Sequence, residues 1–214
     1  ISEQTHLWHL DTSTTKGLFG GNRSGKTEEA AEYVLDKGLA TPKLRIWACG
    51  ETFSDSVNIQ QRKIWKLLPK NQIHYGYYDD INGFTNRKLK LKNGTLIIFK
   101  SYDQGVMAFA QDDCDIIWND EEPPFEIYKE QRMRLMDRNG EMIISMTSVK
   151  GMTDLIADIF EDGDVIENRY SPILNESLPV CVEKNGIKFY MLWTTDNKHI
   201  DQERVKQEIA LMTR

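Results

Sequence analysis

Apolar residues along this chain fall in short blocks that alternate between strand-like and helix-like spacing. Gly17-Leu18-Phe19 leads straight into Gly20. From about Gly25 to Leu39 the spacing is helical, with Ala30, Ala31, Val34 and Leu35 on one side and Gly38 and Pro42 marking the close. Leu44-Arg45-Ile46-Trp47-Ala48-Cys49 reads as a strand buried on both faces. A second helix is expected over Ser54–Leu68, stopped before Pro69, because a proline pushes the preceding residue out of the helical region. Asn82-Gly83 and Asn93-Gly94 are hairpin-turn pairs; Leu89 and Leu91 alternate between them, and Leu96 to Phe99 follow as a strand. Ile116-Ile117-Trp118 is a short strand that runs into acidic residues. After it come a helix over Phe125–Met136, a strand over Met142–Met146 and a short helix over Met152–Phe160. Asn185-Gly186 joins two further strands, the second Ile187–Trp193, and Asp201–Met212 reads as a polar terminal helix.

Strands alternating with helices predict an α/β fold with a mostly parallel central sheet flanked by helices. The hairpin signals predict antiparallel additions to it. Residues 1–170 are expected to form the core, and 171–214 a small C-terminal lid or linker subdomain with no long linker between them. The 214 residues suffice for one substantial core, and 40% hydrophobic with 28% charged residues is ordinary for a globular protein. No apolar run approaches the roughly 20 residues that span a bilayer, so no membrane partner is expected. No signal peptide is visible, and the start at Ile1 fits a processed or partial chain. Cys49, Cys114 and Cys181 form no CxxC or Cys/His cluster, which fits packing roles in a reducing compartment.

A net charge of −6 argues against a surface that wraps nucleic acid throughout. Contact with DNA would need a local patch or another domain. Two groups qualify: Arg62, Lys63, Lys66 and Lys70, and Arg87, Lys88, Lys90, Lys92 and Lys100. Charge runs of this kind are more often the solvated faces of a helix and a hairpin.

Gly20-Gly21-Asn22-Arg23-Ser24-Gly25-Lys26-Thr27 fits GxxxxGK[ST] at every fixed position. A polyphosphate needs several donors at close range. Glycines let backbone N–H groups turn inward as an anion nest, and the helix beginning near Gly25 adds its positive end. Lys26 would reach the β- and γ-phosphates, and the Thr27 hydroxyl would coordinate Mg²⁺. The substrate this implies is ATP, bound through Gly20, Gly21, Asn22, Arg23, Ser24, Gly25, Lys26 and Thr27. In Ile116-Ile117-Trp118-Asn119-Asp120-Glu121 an apolar strand runs into carboxylates. Asp120 is expected in the Mg²⁺ shell, and Glu121 to orient and deprotonate the attacking water. Glu122 leaves the register open by one residue; Glu121 is preferred because it directly follows the metal aspartate.

At this point the sequence resembles the large terminase subunits of tailed bacteriophages. The carrying segments are Gly20 to Glu28, Trp118-Asn119-Asp120-Glu121-Glu122-Pro123-Pro124, Ile144-Ser145-Met146-Thr147-Ser148 with Gly151, and Thr195-Asp196-Asn197. Their order and spacing span most of the chain. The resemblance implies a P-loop ATPase motor that drives double-stranded viral DNA into a procapsid. It implies a ring assembled on a portal protein, a small terminase subunit as partner, and a place in the host cytoplasm at the procapsid portal. It also implies a C-terminal RNase H-like nuclease domain, which would begin near Arg214, so the chain reads as the ATPase domain of a longer protein.

By the same resemblance Thr147 and Ser148 form a coupling motif that senses the γ-phosphate. A Thr-Ser pair at a strand end is otherwise more often a cap or turn. Arg23 matches a frequent arginine position in the loop, either an arginine finger supplied in cis or a salt bridge that orders the loop. Arg87, Arg132, Arg134 and Arg138 are candidates for a finger supplied by a neighbouring subunit. Gln4 and Trp8 are the candidates for the adenine pocket. A helicase-like DNA-dependent ATPase shares the loop and the acidic pair, but no run of helicase motifs follows Thr147. A GTPase would need Asn-Lys-x-Asp, which is absent. A small-molecule kinase has no use for a water-activating Glu121. A non-hydrolysing nucleotide-binding scaffold stays open.

Overall fold

The computed structural model describes residues 2–147, 154–172, 175–197, 199–201, 203–205 and 207. Among them, ten strands form one sheet. In chain order these are β1 (Thr15–Gly20), β2 (Arg45–Gly50), β3 (Ile73–Tyr75), β6 (Lys88–Leu91), β7 (Leu96–Ser101), β8 (Ile116–Asp120), β9 (Glu141–Met146), β10 (Asp164–Ser171), β11 (Glu176–Lys184) and β12 (Ile187–Leu192). A separate two-stranded ribbon pairs β4 (Tyr78–Asp79) with β5 (Gly83–Phe84). The sheet order is β10-β11-β12-β1-β9-β8-β2-β7-β6-β3. The central run from β12 to β7 is parallel throughout. Antiparallel strands close both edges, β10 and β11 on one side and β6 and β3 on the other. The mostly parallel sheet with hairpin additions read from the sequence is the one observed.

Alternation along the central strands divides the interior into two cores. Ile46 and Ala48, Trp118 and Ile143 face one side; Trp47 and Cys49, Ile117, Met142 and Ile144 face the other. Helices α1 (Glu3–Leu10) and α2 (Lys26–Ala40) and the helical segment α3 (53–67) cover the first side with Trp8, Ala30, Ala31, Val34, Leu35 and Ile64. Helices α4 (Phe125–Met136) and α5 (Asp154–Asp162) cover the second with Ile127, Tyr128, Leu135, Ile156 and Ile159. Each of the buried Val, Leu and Ile side chains contributes about 2 kcal/mol relative to exposure. Segment α3 is π-helical over Ser56–Gln61. Gly38 lies inside α2, which runs to Ala40, rather than at its end.

The division expected after residue 170 falls within the β10–β11 hairpin, and β12 lies parallel to β1. Residues 164–192 therefore extend the central sheet instead of forming a separate layer. The expected helix over Asp201–Met212 lies mostly outside the described residues, as does the start of the helix expected from Met152.

Helix α1 has no strong apolar periodicity, and its anchors are polar. Ser2 caps it by accepting from the Thr5 N–H at 3.2 Å. Lys16, fully buried on β1, donates to the carbonyls of Trp8 at 3.0 Å and Asp11 at 2.7 Å. Its Nζ lies 4.2 Å from the Tyr33 ring centroid. Burial lowers the Lys16 pKa to about 8, against the attraction of Glu141 and Asp11. The folded chain then releases this proton near pH 8, whereas the unfolded chain holds it to about 10.4. Stability contributed by Lys16 should therefore rise across that window. Urea unfolding of the native protein is expected to gain up to roughly 3 kcal/mol relative to Lys16→Met between pH 8 and 10.5; a constant difference would contradict it.

Candidate active site

The strand order β1-β9-β8 brings three C-terminal strand ends side by side. Ligands of open parallel sheets bind at such ends. From β1 the chain enters the loop Gly20–Thr27 and then α2. Gly25 adopts φ 96°, which glycine takes without strain, and starts the helix. At Gly20 a Cβ would lie 2.4 Å from the Leu192 carbonyl oxygen and 2.8 Å from Ser24 Oγ, so only glycine fits between β12 and the loop. Ser24 Oγ is buried without a hydrogen-bond partner among the described residues, as an oxygen reserved for a ligand would be. Lys26 is also buried; burial lowers its pKa, while Glu121 and Asp120 pull it back up.

Asp120 ends β8, a strand buried at every position. Trp118 and Asp120, two residues apart, share the face turned toward α2. Ser145 lies directly opposite Asp120 on β9. Its hydroxyl accepts from Trp118 Nε1 at 2.9 Å and donates to Asp120 Oδ1 at 2.7 Å. The Thr27 hydroxyl donates to the same oxygen at 3.1 Å. Burial raises the Asp120 pKa to about 6; the Ser145 and Thr27 hydroxyls and Lys26 work against that rise, and Glu121 adds to it. Among the described residues no group of three or more His, Cys, Asp or Glu side chains is placed to hold a metal. Thr27 and Asp120 together offer a hydroxyl and a carboxylate. That pair fits Mg²⁺, which takes few protein oxygens and fills its shell with water and phosphate.

Glu121 adopts φ 70°. Both its carboxylate oxygens are held by Thr147, Oε2 accepting from the backbone N–H and Oε1 from the hydroxyl, each at 2.9 Å. These two bonds join Glu121, the glutamate preferred from the sequence, to the end of β9. Ser148, expected to share a coupling role with Thr147, lies outside the described residues. Ser145 and Tyr102, which donates to the Glu121 carbonyl at 2.9 Å, were not singled out from the sequence. A polar Ser145 inside an apolar strand was the available signal; Tyr102 gave none.

A cleft of about 760 Å³ opens along Arg23 to Glu29, with Ser2, Thr5, Asp196 and Asn197 at its border. The loop is tied to the chain after β12. Asn197 Nδ2 donates to the Arg23 carbonyl at 2.6 Å, and Thr194 Oγ1 to the Asn22 carbonyl at 3.3 Å. Trp8 does not line this cleft; it is fully buried, packed 4.9 Å from the Tyr33 ring. Gln4 is buried beside the cleft. Its Oε1 accepts from Arg169 at 3.0 Å, and its Nε2 has no partner among the described residues. Arg169 also pairs with Asp196 at 2.7 Å.

The other arginines are engaged elsewhere. Arg132 donates to Thr15 at the start of β1, and Arg138 pairs with Asp113 and Asp115 ahead of β8, so both reach the opposite end of the sheet. Arg134 pairs with Glu130, and Arg87 lies over the Phe53 ring. In the first basic group, Lys63 pairs with Glu28 and Arg62 with Asp80. In the second, Lys100 is turned in over Trp47, while Lys88 and Lys90 are exposed on β6.

No family model matches the chain, and no curated protein does. Solved structures do. The ATPase domain of the Thermus phage P74-26 large terminase superposes with a TM-score of 0.67 at 16% identity, over 98% of this chain and 86% of that one. The large terminase of a thermophilic bacteriophage gives 0.64 at 10%, over 97% of this chain and 48% of that protein; it has also been solved with ADP and with ATP-gamma-S. The N-terminal domain of the DNA packaging ATPase from bacteriophage phi29 gives 0.53 at 12%, over 89% and 95%. The chain has the fold of a phage large-terminase ATPase domain. It spans about half the second of these proteins. At such low identity the terminase fold alone is shared, and the chemistry must come from this chain's own residues.

Arg23 separates two roles in that chemistry. It has φ 67°, is exposed at the cleft, and forms no ion pair among the described residues, which favours a charge kept for a ligand over one that orders the loop. Arg23→Ala is expected to slow ATP cleavage about a thousandfold, the scale of an arginine finger, while ADP affinity changes by about fivefold or less. Phosphate-release kinetics and ADP titration check this; equal losses would return Arg23 to a loop-ordering role.

Proposed function

We propose that this chain is the ATPase motor domain of a viral terminase large subunit, hydrolysing ATP with Mg²⁺ to drive double-stranded DNA into a procapsid. One observation carries the reading: the neighbouring carboxylates Asp120 and Glu121 are held by Thr27 from α2 and by Thr147 from the end of β9, beside a glycine-rich loop and a buried lysine.

In this reading the loop N–H groups and Lys26 grip the β- and γ-phosphates. Thr27 and Asp120 would hold Mg²⁺, whose charge would offset that of the phosphate oxygens. Arg23 stabilises the charge of the group in transfer. Glu121 orients the attacking water and accepts its proton. Both carboxylate oxygens are taken up by Thr147, so Glu121 must leave Thr147 to meet the water. That exchange links the state of the site to the end of β9, which supplies the coupling role of Thr147. Ser148 shares that role through the resemblance of the Thr147-Ser148 pair to the family's coupling motif.

The wider assignments are proposals of the same kind. A structural neighbour about twice as long supports placing this chain in a larger protein; a nuclease domain within it follows from the sequence resemblance. Portal protein, a small terminase subunit and a ring of copies would then be its partners, in the host cytoplasm at the procapsid. Among the described residues no helix is long and apolar enough to cross a membrane.

The test is phosphate release from ATP with and without double-stranded DNA, on this domain and on a longer form of the protein. The motor reading expects turnover that DNA stimulates severalfold. ATP binding with no turnover under any of these conditions would leave a nucleotide-binding scaffold instead.

A further inference from the structure

Glu121 is held in the left-handed backbone region, which costs a residue with a side chain about 1–2 kcal/mol. Something must hold it there. Its N–H donates to the Ser145 carbonyl at 2.8 Å. Its carbonyl accepts from the Tyr102 hydroxyl at 2.9 Å. Tyr102 follows directly on β7, and β2 lies between β7 and β8, so this side chain reaches across the end of β2.

The hydroxyl has one proton and two acceptors in range. The second is Asn119 Oδ1 at 3.2 Å. Asn119 and Gln131, both fully buried, already form a reciprocal amide pair, Nδ2 to Oε1 at 2.9 Å and Nε2 to Oδ1 at 2.8 Å. Asn119 Oδ1 thus has a donor without Tyr102. With both amides turned over, Asn119 would offer an N–H to the Tyr102 oxygen. In either arrangement the tyrosine proton goes to the Glu121 carbonyl. Ser101 anchors the turn that carries Tyr102: its N–H donates to Gln104 Oε1 at 3.0 Å and its hydroxyl to Asp103 at 2.5 Å.

We propose that Tyr102 is a positioning residue for the hydrolytic reaction, fixing the Glu121 peptide from which the carboxylate turns between Thr147 and the attacking water. The inference rests on Glu121 being the water-orienting residue. Burial holds the Tyr102 pKa far above its ordinary value, so the hydroxyl stays a donor at any working pH. Removing the hydroxyl leaves the apolar ring in its core of Cys49, Phe109, Ile117 and Ile127, so packing survives.

Tyr102→Phe is expected to lower kcat for ATP roughly tenfold, while KM and ADP affinity stay within about twofold and the melting temperature falls by only a few degrees. In a Glu121→Gln background the same change should slow turnover no further, because there is no carboxylate left to aim. If Tyr102→Phe turns over at the native rate while Glu121→Gln is inactive, the role given to Tyr102 is overturned and that of Glu121 stands. If kcat and ADP affinity fall together, or the loss tracks the unfolded fraction, Tyr102 is structural only. If Glu121→Gln turns over normally, the Glu121 reading fails, and this inference with it.

Discussion

Asp120 is a carboxylate at the end of a strand with no exposed residue, and burial there raises its pKa to about 6. An unpaired charge in such a place would be expensive. Two hydroxyls reduce that cost, and they come from different elements: Ser145 from β9 and Thr27 from α2. Ser145 has one proton, and giving it to Asp120 leaves its lone pairs for Trp118 Nε1. The polarity of the row is therefore fixed from the core outward. Because Thr27 is the second residue of α2, the same contact seats that helix against β8. Much of the site's geometry depends on keeping this one carboxylate satisfied.

Local chemistry was legible in the sequence, and long-range chemistry was not. The loop is eight consecutive residues whose fixed positions follow from holding a polyphosphate. The acidic strand end is equally local. The unbroken apolar run from Ile46 to Cys49 already implied a strand buried on both faces, and the structure has one. Strand order cannot be read that way. It is the placing of β9 between β1 and β8 that brings Ser145 to Asp120 and Thr147 to Glu121, and only the position of β7 beyond β2 brings Tyr102 within reach.

The less accurate expectations have physical causes too. A tryptophan near the N-terminus was a candidate for stacking on a base, but Trp8 was needed to close the core over Tyr33 and Lys16. Helix α1 was missed because its anchors are the Ser2 cap and a buried lysine rather than an apolar stripe. The last strands looked like a separate unit because hairpin signals dominate there. Parallel pairing of β12 with β1 depends on partners almost the whole chain away, such as Lys16 with Lys188. Left-handed backbone at Arg23 and Glu121, where glycine would be unstrained, adds conformational cost at the site itself.

The central claim is that the ends of β1, β9 and β8 form a hydrolytic site with Glu121 as the residue that faces water. A structure of the protein with Mg²⁺, ADP and aluminium fluoride, a mimic of the phosphoryl group in transfer, tests it most directly. The account expects the fluoride over Lys26, the metal at Thr27 and Asp120, and the Glu121 carboxylate turned from Thr147 toward the axial water. Nucleotide bound away from this loop, or Glu122 facing the water while Glu121 stays on Thr147, would contradict it.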